Sequence, residues 1–175
     1  MPNDEKIILV DGNDTQIGAA GKLETHEKGL LHRAFSIIVK NDKGEMMLQK
    51  RVLGKYHSGG LWTNTCCGHP RDGEDLVSAA HRRLREEMGL DCALEEITTF
   101  TYRVGLDHGL QENEFLHVFV GEHTDAPLLN PAEADDWKWI ISEELKKDVA
   151  KNPDSYTHWF KIILGKAEEN NIELS

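Results

Sequence analysis

The segment WTNTCCGHP, residues 62–70, carries the side chains in this chain that are best suited to chemistry. It holds the thiol of Cys67 and the imidazole of His69 on either side of one glycine. Both groups can move protons, because their surroundings can bring their pKa values near the working pH. Side chains of neighbouring residues diverge in extended backbone, so Cys66 and Cys67 cannot both point into one cleft. We predict that one of them is functional and that the other, like Cys92, packs in the core.

A predicted helix follows, and it carries charge on its inward face. The helical pattern covers residues 74–88 and stops at Gly89. Its apolar stripe consists of Leu76, Val77, Ala80, Leu84 and Met88. Arg83 and Glu87 fall on the same stripe, where charges are unfavourable unless they pair or bind something. Two interpretations remain open: an ion pair between Arg83 and Glu87, or a ligand site in which Arg83 binds phosphate and Glu87 binds a divalent cation.

Two carboxylates lie at the start of a predicted strand. Strand side chains alternate, so Glu112 and Glu114 share a face with Leu116 and Val118 if the strand begins that early. The acids are either the solvated end of an exposed strand or a paired metal site. In the second case, one of them can also act as an acid–base group.

Three histidines can complete such a metal site. His26, His32 and His69 together with two glutamates suit a divalent transition metal, and His26 would meet His32 through a loop. The remaining histidines are interpreted as structural or solvated; they are His57, His81, His108, His117, His123 and His158.

Strands and helices alternate along the rest of the chain. The predicted strands cover residues 7–10, 33–40, 45–51, 97–104, 114–120 and 137–141, and the second and third form a hairpin. Residues 52–60 are predicted to be a loop. Two further helices cover residues 143–150, capped by Ser142, and 154–169. This order predicts an α/β (α+β) fold, an α/β/α sandwich with a mixed central sheet, as a single domain over residues 1–175.

Composition excludes several classes of partner. A net charge of −11 should repel nucleic acid and anionic membranes. An anionic substrate would need basic residues gathered at one place.

No apolar run approaches the roughly 20 residues of a membrane span, and Met1 to Lys6 lacks the apolar region of a secretory signal. Three cysteines, two of them adjacent, indicate a reducing cytoplasm. The chain has no dinucleotide-binding G-x-G-x-x-G, so we expect no flavin or nicotinamide.

These motifs together resemble a known enzyme family. The pattern Gly68-x5-Glu74-x7-Arg82-Arg83, followed by Leu84 to Leu90, resembles a Nudix box, which binds a magnesium diphosphate. Combined with WTNTCCGHP and with Glu112 and Glu114, it resembles the type I isopentenyl diphosphate isomerases, a branch of the Nudix superfamily. The resemblance implies a Nudix-like fold. It also implies interconversion of isopentenyl and dimethylallyl diphosphate by protonation and deprotonation through a tertiary carbocation.

The resemblance also implies a role for each matching position. One divalent ion, Mn²⁺ or Zn²⁺, would be held by His26, His32, His69, Glu112 and Glu114. A Mg²⁺ ion would bridge Glu87 to the substrate diphosphate, with Glu86 as a competing ligand. Diphosphate oxygens would contact Lys22, Arg51, Lys55 and Arg83. The proton-transfer residues would be Cys67, Glu114 and Tyr102, with Trp159 beside the hydrocarbon tail.

One departure from the hydrolase pattern matters for function. Nudix hydrolases carry Arg-Glu where this chain has Arg82-Arg83, so a metal ligand is replaced by a possible phosphate ligand. We favour Glu114, helped by Tyr102, as the donor to the alkene and Cys67 as the base. The reverse assignment stays open because the reaction is reversible. A Nudix-type diphosphate hydrolase is the alternative function. The expected partner is a small allylic or homoallylic diphosphate, and the expected assembly is a monomer or homodimer.

Overall fold

The central strand of the structure is β3 (His32–Lys40), seven of whose nine residues are buried. We describe a computed structural model over residues 5–174. β3 pairs in parallel with β8 (Gln111–Glu122) and antiparallel with the short β6 (Cys66–Gly68). Its nearly continuous apolar sequence is typical of a strand covered on both faces.

Other strands extend this core on both sides. β7 (Leu94–Gly105) pairs with β8, and β1 (Lys6–Val10) pairs with β2 (Gln16–Gly21) and touches β3. β4 (Met46–Arg51) pairs with β9 (Ala134–Ile140) and with the two-residue β5 (Trp62–Thr63). The result is a mixed sheet of nine strands within residues 5–174.

Helices cover both faces of the sheet, as the sequence predicted. α2 (Leu76–Met88) packs against one face, where the buried side chains include Phe35 and Ile37. α3 (Ser142–Lys151) and α4 (His158–Glu169) cover the other face. The predicted α/β/α arrangement with a mixed sheet is therefore confirmed. The short α1 (Lys22–Lys28), which joins β2 to β3, was not predicted.

The predicted hairpin forms, because β3 and β4 pair antiparallel across the turn at residues 41–44. It pairs in register only at Lys40 and Met46, because β3 then pairs with β6 while β4 pairs with β9. Two helix boundaries were predicted wrongly. Ser142 is the first helical residue of α3 and not its cap; in the described chain that helix start has no side-chain capping bond. The last helix begins at His158, because Pro153–Ser155 forms a separate 3₁₀ turn.

The apolar stripe of α2 also differs in one position. Val77 is 44% exposed, and the buried position is taken by Ala79.

Residues 1–4, which belong to the segment predicted to lack a secretory signal, lie outside the described residues. Among residues 5–174, no helix has both the length and the hydropathy needed to cross a membrane.

Candidate active site

A cavity of about 200 Å³ opens where β3, β6 and β8 meet α1, α2 and α4. Its walls are formed by Glu5, Lys22, Ser36, Arg51, Lys55, Tyr56, His57, Cys67, Gly68, His69, Arg83, Glu87, Glu112, Glu114, Glu133 and Trp159. Gly68 allows α2 to approach, because a Cβ there would lie 2.7 Å from the Phe35 ring and 3.1 Å from Arg83 Cγ. Most of the residues that the sequence predicts to be catalytic or ligand-binding thus line the same cavity.

The predicted histidines converge at one end of this cavity. His26 comes from α1, His32 opens β3 and His69 follows β6; their ring centroids lie 4.9 to 5.5 Å apart. One nitrogen from each ring and one oxygen of Glu112 all lie within 4.8 Å of one another. Glu114 adjoins this group, with Oε1 3.3 Å from His69 Nε2 and 3.7 Å from His32 Nε2.

Backbone contacts orient two of the imidazoles for metal binding. His26 Nδ1 donates to the carbonyl of Lys22 at 2.6 Å, and His32 Nδ1 donates to that of Leu30 at 2.9 Å. A carbonyl only accepts, so these nitrogens carry hydrogen and the Nε2 lone pairs face the cluster. Burial lowers the pKa of His26 to about 4, and that of His69 to about 3, which favours the neutral, metal-binding form.

Unpartnered polar atoms in the cluster fit a divalent cation. His32 Nε2 and Glu112 Oε2 are buried without a hydrogen-bond partner in the described chain. Leaving such atoms unpaired is unfavourable, whereas a cation between them would satisfy both. Three imidazoles with carboxylate oxygens form a donor set that suits a divalent transition metal.

The two glutamates of β8 are buried side by side. Glu112 is 3% exposed and Glu114 is 6% exposed, so the interpretation of a solvated strand end was wrong. Burial, and then the charge of Glu114, raises the pKa of Glu112 well above its ordinary value. Burial alone would also raise the pKa of Glu114, but contacts with His32 and His69 hold it well below. Tyr102, on the adjacent β7, donates its hydroxyl hydrogen to Glu114 Oε2 at 2.8 Å.

Of the adjacent cysteines, only Cys67 faces the cavity. Cys66 is fully buried in the core under α2, which confirms that one of the two is a packing residue. Cys67 Sγ lies 3.2 Å from Asn64 Oδ1 and 3.3 Å from Ser36 Oγ. Burial raises the pKa of the Cys67 thiol to about 12, so the group is protonated near neutral pH.

Asn64 contacts the thiol but was not identified from the sequence. Its amide nitrogen donates to the carbonyls of Ile37 and Cys66, at 3.1 and 2.9 Å, so its Oδ1 is left to accept from Cys67. No periodicity marks this residue. Its position inside WTNTCCGHP was the only available signal.

The four predicted basic residues line the cavity together, as expected. Burial, followed by the charges of Arg83 and Lys55, lowers the pKa of Lys22. Arg51 lies over the Trp159 ring, with 5.1 Å between its guanidinium carbon and the ring centroid. Their convergence gathers four cations of an acidic chain in one cavity, which also contains carboxylates.

Both interpretations of the Arg83 and Glu87 pair fit the structure. The two side chains form an ion pair, and both line the cavity. Burial disfavours the charge of Arg83, but the charge of Glu87 holds its pKa above the ordinary value. Glu87 is 6% exposed and also accepts from Gln49 Nε2 at 2.8 Å. Glu86 has a side chain 38% exposed and does not line the cavity, which favours Glu87 as the cation ligand.

For His57, predicted to be structural or solvated, the structure excludes the solvated alternative. Its side chain is 6% exposed and lines the cavity beside Trp159, with ring centroids 5.7 Å apart. It lies in the predicted loop, where no periodicity can indicate which way a side chain points.

Comparisons with known proteins agree with this geometry. Residues 30–160 match the family model of the NUDIX domain. The protein named isopentenyl-diphosphate Delta-isomerase 2 from Aromatoleum aromaticum is 52% identical over 93% of this chain and 86% of its own length. A protein of the same name from Photorhabdus laumondii is 51% identical, over 97% and 96%. Isopentenyl-diphosphate Delta-isomerase from Serratia proteamaculans is 45% identical, over 97% and 95%.

Solved structures of more distant proteins share the fold. Protein DR0079 from Deinococcus radiodurans has a TM-score of 0.75 at 17% identity, over 91% of this chain and 97% of its own. The MutT protein from Methanosarcina mazei has a TM-score of 0.65 at 18% identity, over 81% and 95%. At such low identity, these likenesses show the fold class and nothing about the reaction.

Proposed function

Because the chain belongs to the isopentenyl-diphosphate Delta-isomerase family of NUDIX-domain proteins, we propose that it interconverts isopentenyl diphosphate and dimethylallyl diphosphate. One observation carries the proposal. Cys67 on β6 and the Tyr102-bonded Glu114 on β8 reach the same cavity from the two strands that flank β3. Two proton-transfer groups on either side of one cavity suit a reaction that adds a proton at one carbon and removes one from another.

The diphosphate binds at the basic side of the cavity in this proposal. Its oxygens contact Lys22, Arg51, Lys55 and Arg83. Arginine can bind a phosphate with two parallel hydrogen bonds, whereas lysine contributes a compact charge. Glu87 would hold a Mg²⁺ ion, whose charge would offset that of the diphosphate. The substrate is thereby fixed by its polar end, and its hydrocarbon tail extends toward Trp159.

Proton transfer uses the buried groups. In the forward direction, protonated Glu114, assisted by the hydroxyl of Tyr102, donates a proton to the alkene, and Cys67 as the thiolate removes a proton from the carbon next to the resulting cation, which leaves Glu114 ionised and Cys67 protonated. Trp159 offers an aromatic surface that stabilises a cation without attacking it. Its burial, with 5% exposed, supports the exclusion of water that would convert the cation to an alcohol.

The protonation states of the free chain match the starting point of the reverse reaction. Burial keeps Cys67 protonated, and the low pKa of Glu114 keeps it ionised. That distribution is the starting point when Cys67 is the donor and Glu114 the acceptor. The reaction is reversible, so both assignments belong to the proposal, one for each direction.

The His/Glu cluster binds the second metal ion in this proposal. Its residues are His26, His32, His69, Glu112 and Glu114. Their imidazole content favours Mn²⁺ or Zn²⁺ over Mg²⁺. A cation bound there would orient Glu114 and lower its proton affinity.

A Nudix-type hydrolase is the weaker alternative. Water attack on phosphorus uses an additional carboxylate-held metal, and here Arg83 occupies the corresponding helix position and pairs with Glu87.

A cytoplasmic location, a single domain, and a monomer or homodimer remain predictions from the sequence. Size-exclusion chromatography with light scattering tests the last of these.

Proton NMR in D₂O tests the proposed reaction. The purified chain, incubated with isopentenyl diphosphate and Mg²⁺, should produce deuterium-labelled dimethylallyl diphosphate, and a chelator should prevent this. If phosphate is released without isomerisation, the hydrolase alternative is correct. If neither product forms after metal reconstitution with reduced thiols, the chain binds its ligand without turnover.

A further inference from the structure

The loop of residues 52–60 places a fourth imidazole beside the histidine cluster. His57 Nε2 lies 3.7 Å from Glu112 Oε1. His32 Nε2 lies at the same distance, 3.7 Å, from the other oxygen of that carboxylate. His57 also stacks near His26, with ring centroids 5.9 Å apart and planes inclined by 30°. It therefore adjoins the cluster through Glu112, beside the set of ligand atoms from His26, His32, His69 and Glu112 that lie within 4.8 Å of one another.

The backbone around His57 is fixed by several contacts. Its carbonyl accepts from Arg51 Nη2 at 3.2 Å. The next residue, Ser58, has a φ of 53° and donates its N–H to Asp107 at 3.0 Å. Gly59 packs so tightly that a Cβ there would lie 2.2 Å from the carbonyl oxygen of Leu53. A loop held in this way presents its side chain in one position, as a preorganised ligand requires.

The ring of His57 is also confined. Tyr56 and Trp159 lie edge-on to it, with centroids 4.4 and 5.7 Å away. His57 Nδ1 lies 3.3 Å from Ser58 Oγ. When Nδ1 donates to this hydroxyl, Nε2 directs its lone pair toward Glu112, the same orientation that backbone carbonyls impose on His26 and His32.

We propose that His57 is an additional ligand of the divalent ion held by the His/Glu cluster. The inference rests on the proposed function, since that function assigns the cluster to a metal. A fourth imidazole would bias the site further toward transition metals and away from Mg²⁺. It would also make the 52–60 loop part of the metal site as well as part of the diphosphate site, through Lys55.

Cobalt binding without substrate tests this role separately from isomerisation. The full chain is stripped with a chelator and titrated with Co²⁺, and its visible absorption is followed. We expect His57→Ala to weaken Co²⁺ binding by about tenfold or more, and to change the absorption bands. His123→Ala, which alters a histidine away from the cavity, should leave both unchanged. His57→Gln preserves more of the side-chain volume, and circular dichroism verifies folding of each variant.

A measurement on the unaltered chain avoids dependence on those variants. In the Co²⁺ form, each coordinated imidazole should give a strongly shifted N–H signal that is present in H₂O and absent in D₂O. Four such signals support the proposal, and three overturn it. Wild-type Co²⁺ affinity and absorption in both His57 variants, with a raised KM, would also overturn it and make His57 only a wall of the substrate cavity. Failure of the proposed function would instead appear as absence of isomerisation by wild type.

Discussion

At the scale of single residues, two buried acids that lie close together have pKa values shifted in opposite directions, because only one of them has contacts that outweigh burial. It raises the pKa of the Cys67 thiol, whereas nearby histidines hold that of Glu114 low. Burial therefore keeps the proton on Cys67, whereas the histidine contacts keep Glu114 ionised. Asn64 and Tyr102 are the immediate partners, one accepting from the thiol and the other donating to the carboxylate.

Substitution of either proton-transfer group should abolish turnover without unfolding the chain. We expect Cys67→Ala and Glu114→Gln each to lower kcat by about 10²-fold or more, because no neighbouring group can replace the missing proton donor or acceptor. Steady-state kinetics and thermal melting measure the two effects. Cys92→Ala, a thiol outside the cavity, is the matched control. Near-normal turnover in either site variant would contradict the mechanism.

At the scale of elements, α2 carries one residue that faces the cavity and another that caps the helix. Arg83 points from its inward face into the cavity, whereas Asp75 caps its start by accepting from the backbone N–H of Ser78 at 3.0 Å. That hydrogen bond lowers the pKa of Asp75. The cap's stabilisation is thus present above the unfolded-state pKa of Asp75 and is lost as pH falls through the lower folded-state value.

The two residues of α2 should respond differently to substitution. We expect Arg83→Ala to raise KM for isopentenyl diphosphate about tenfold or more, because a charged hydrogen bond to phosphate is removed. Asp75→Ala should lower the melting temperature near neutral pH and leave KM unchanged, with the difference in melting temperature shrinking in acid. An unchanged KM for Arg83→Ala together with a large loss of stability would reduce Arg83 to an ion-pair partner of Glu87.

At the scale of the whole molecule, several basic side chains are concentrated at one place in an acidic chain. The chain carries a net charge of −11, yet four basic side chains line one cavity. The same cavity contains buried carboxylates whose charges are only partly balanced by these cations. A bound cation in the His/Glu cluster should therefore stabilise the fold as well as complete the site.

Metal removal should reveal this coupling. Addition of Mn²⁺ or Zn²⁺ to the chelator-stripped chain, at a concentration 1,000-fold above Kd, should stabilise it by about 4 kcal/mol and raise Tm accordingly. The increase should be much smaller in His32→Ala, because that variant lacks a ligand. Calorimetry or fluorescence melting records the shift. A metal-independent Tm in wild type would count against a structural role for the ion.

The sequence by itself determined the class of fold, most of its strands and the residues with chemical potential. Hydrophobic periodicity is local, so it identified β8, α2 and the inward direction of Arg83 and Glu87. Motif spacing identified Cys67, His69 and the two glutamates. Short elements such as α1 and β6 were not predicted, because three to seven residues are too few to show a periodic hydrophobic pattern.

Only the tertiary structure decided which of these residues meet. Parallel pairing of β3 with β8 aligns His32 with Glu114, and antiparallel pairing with β6 aligns Ser36 with Cys67. Both alignments join segments far apart in the chain, which no local pattern can specify. The orientation of His57 depends likewise on contacts from Arg51 and Asp107 to its loop. Local sequence patterns therefore identified the candidate residues, whereas long-range packing decided which of these residues meet in one site.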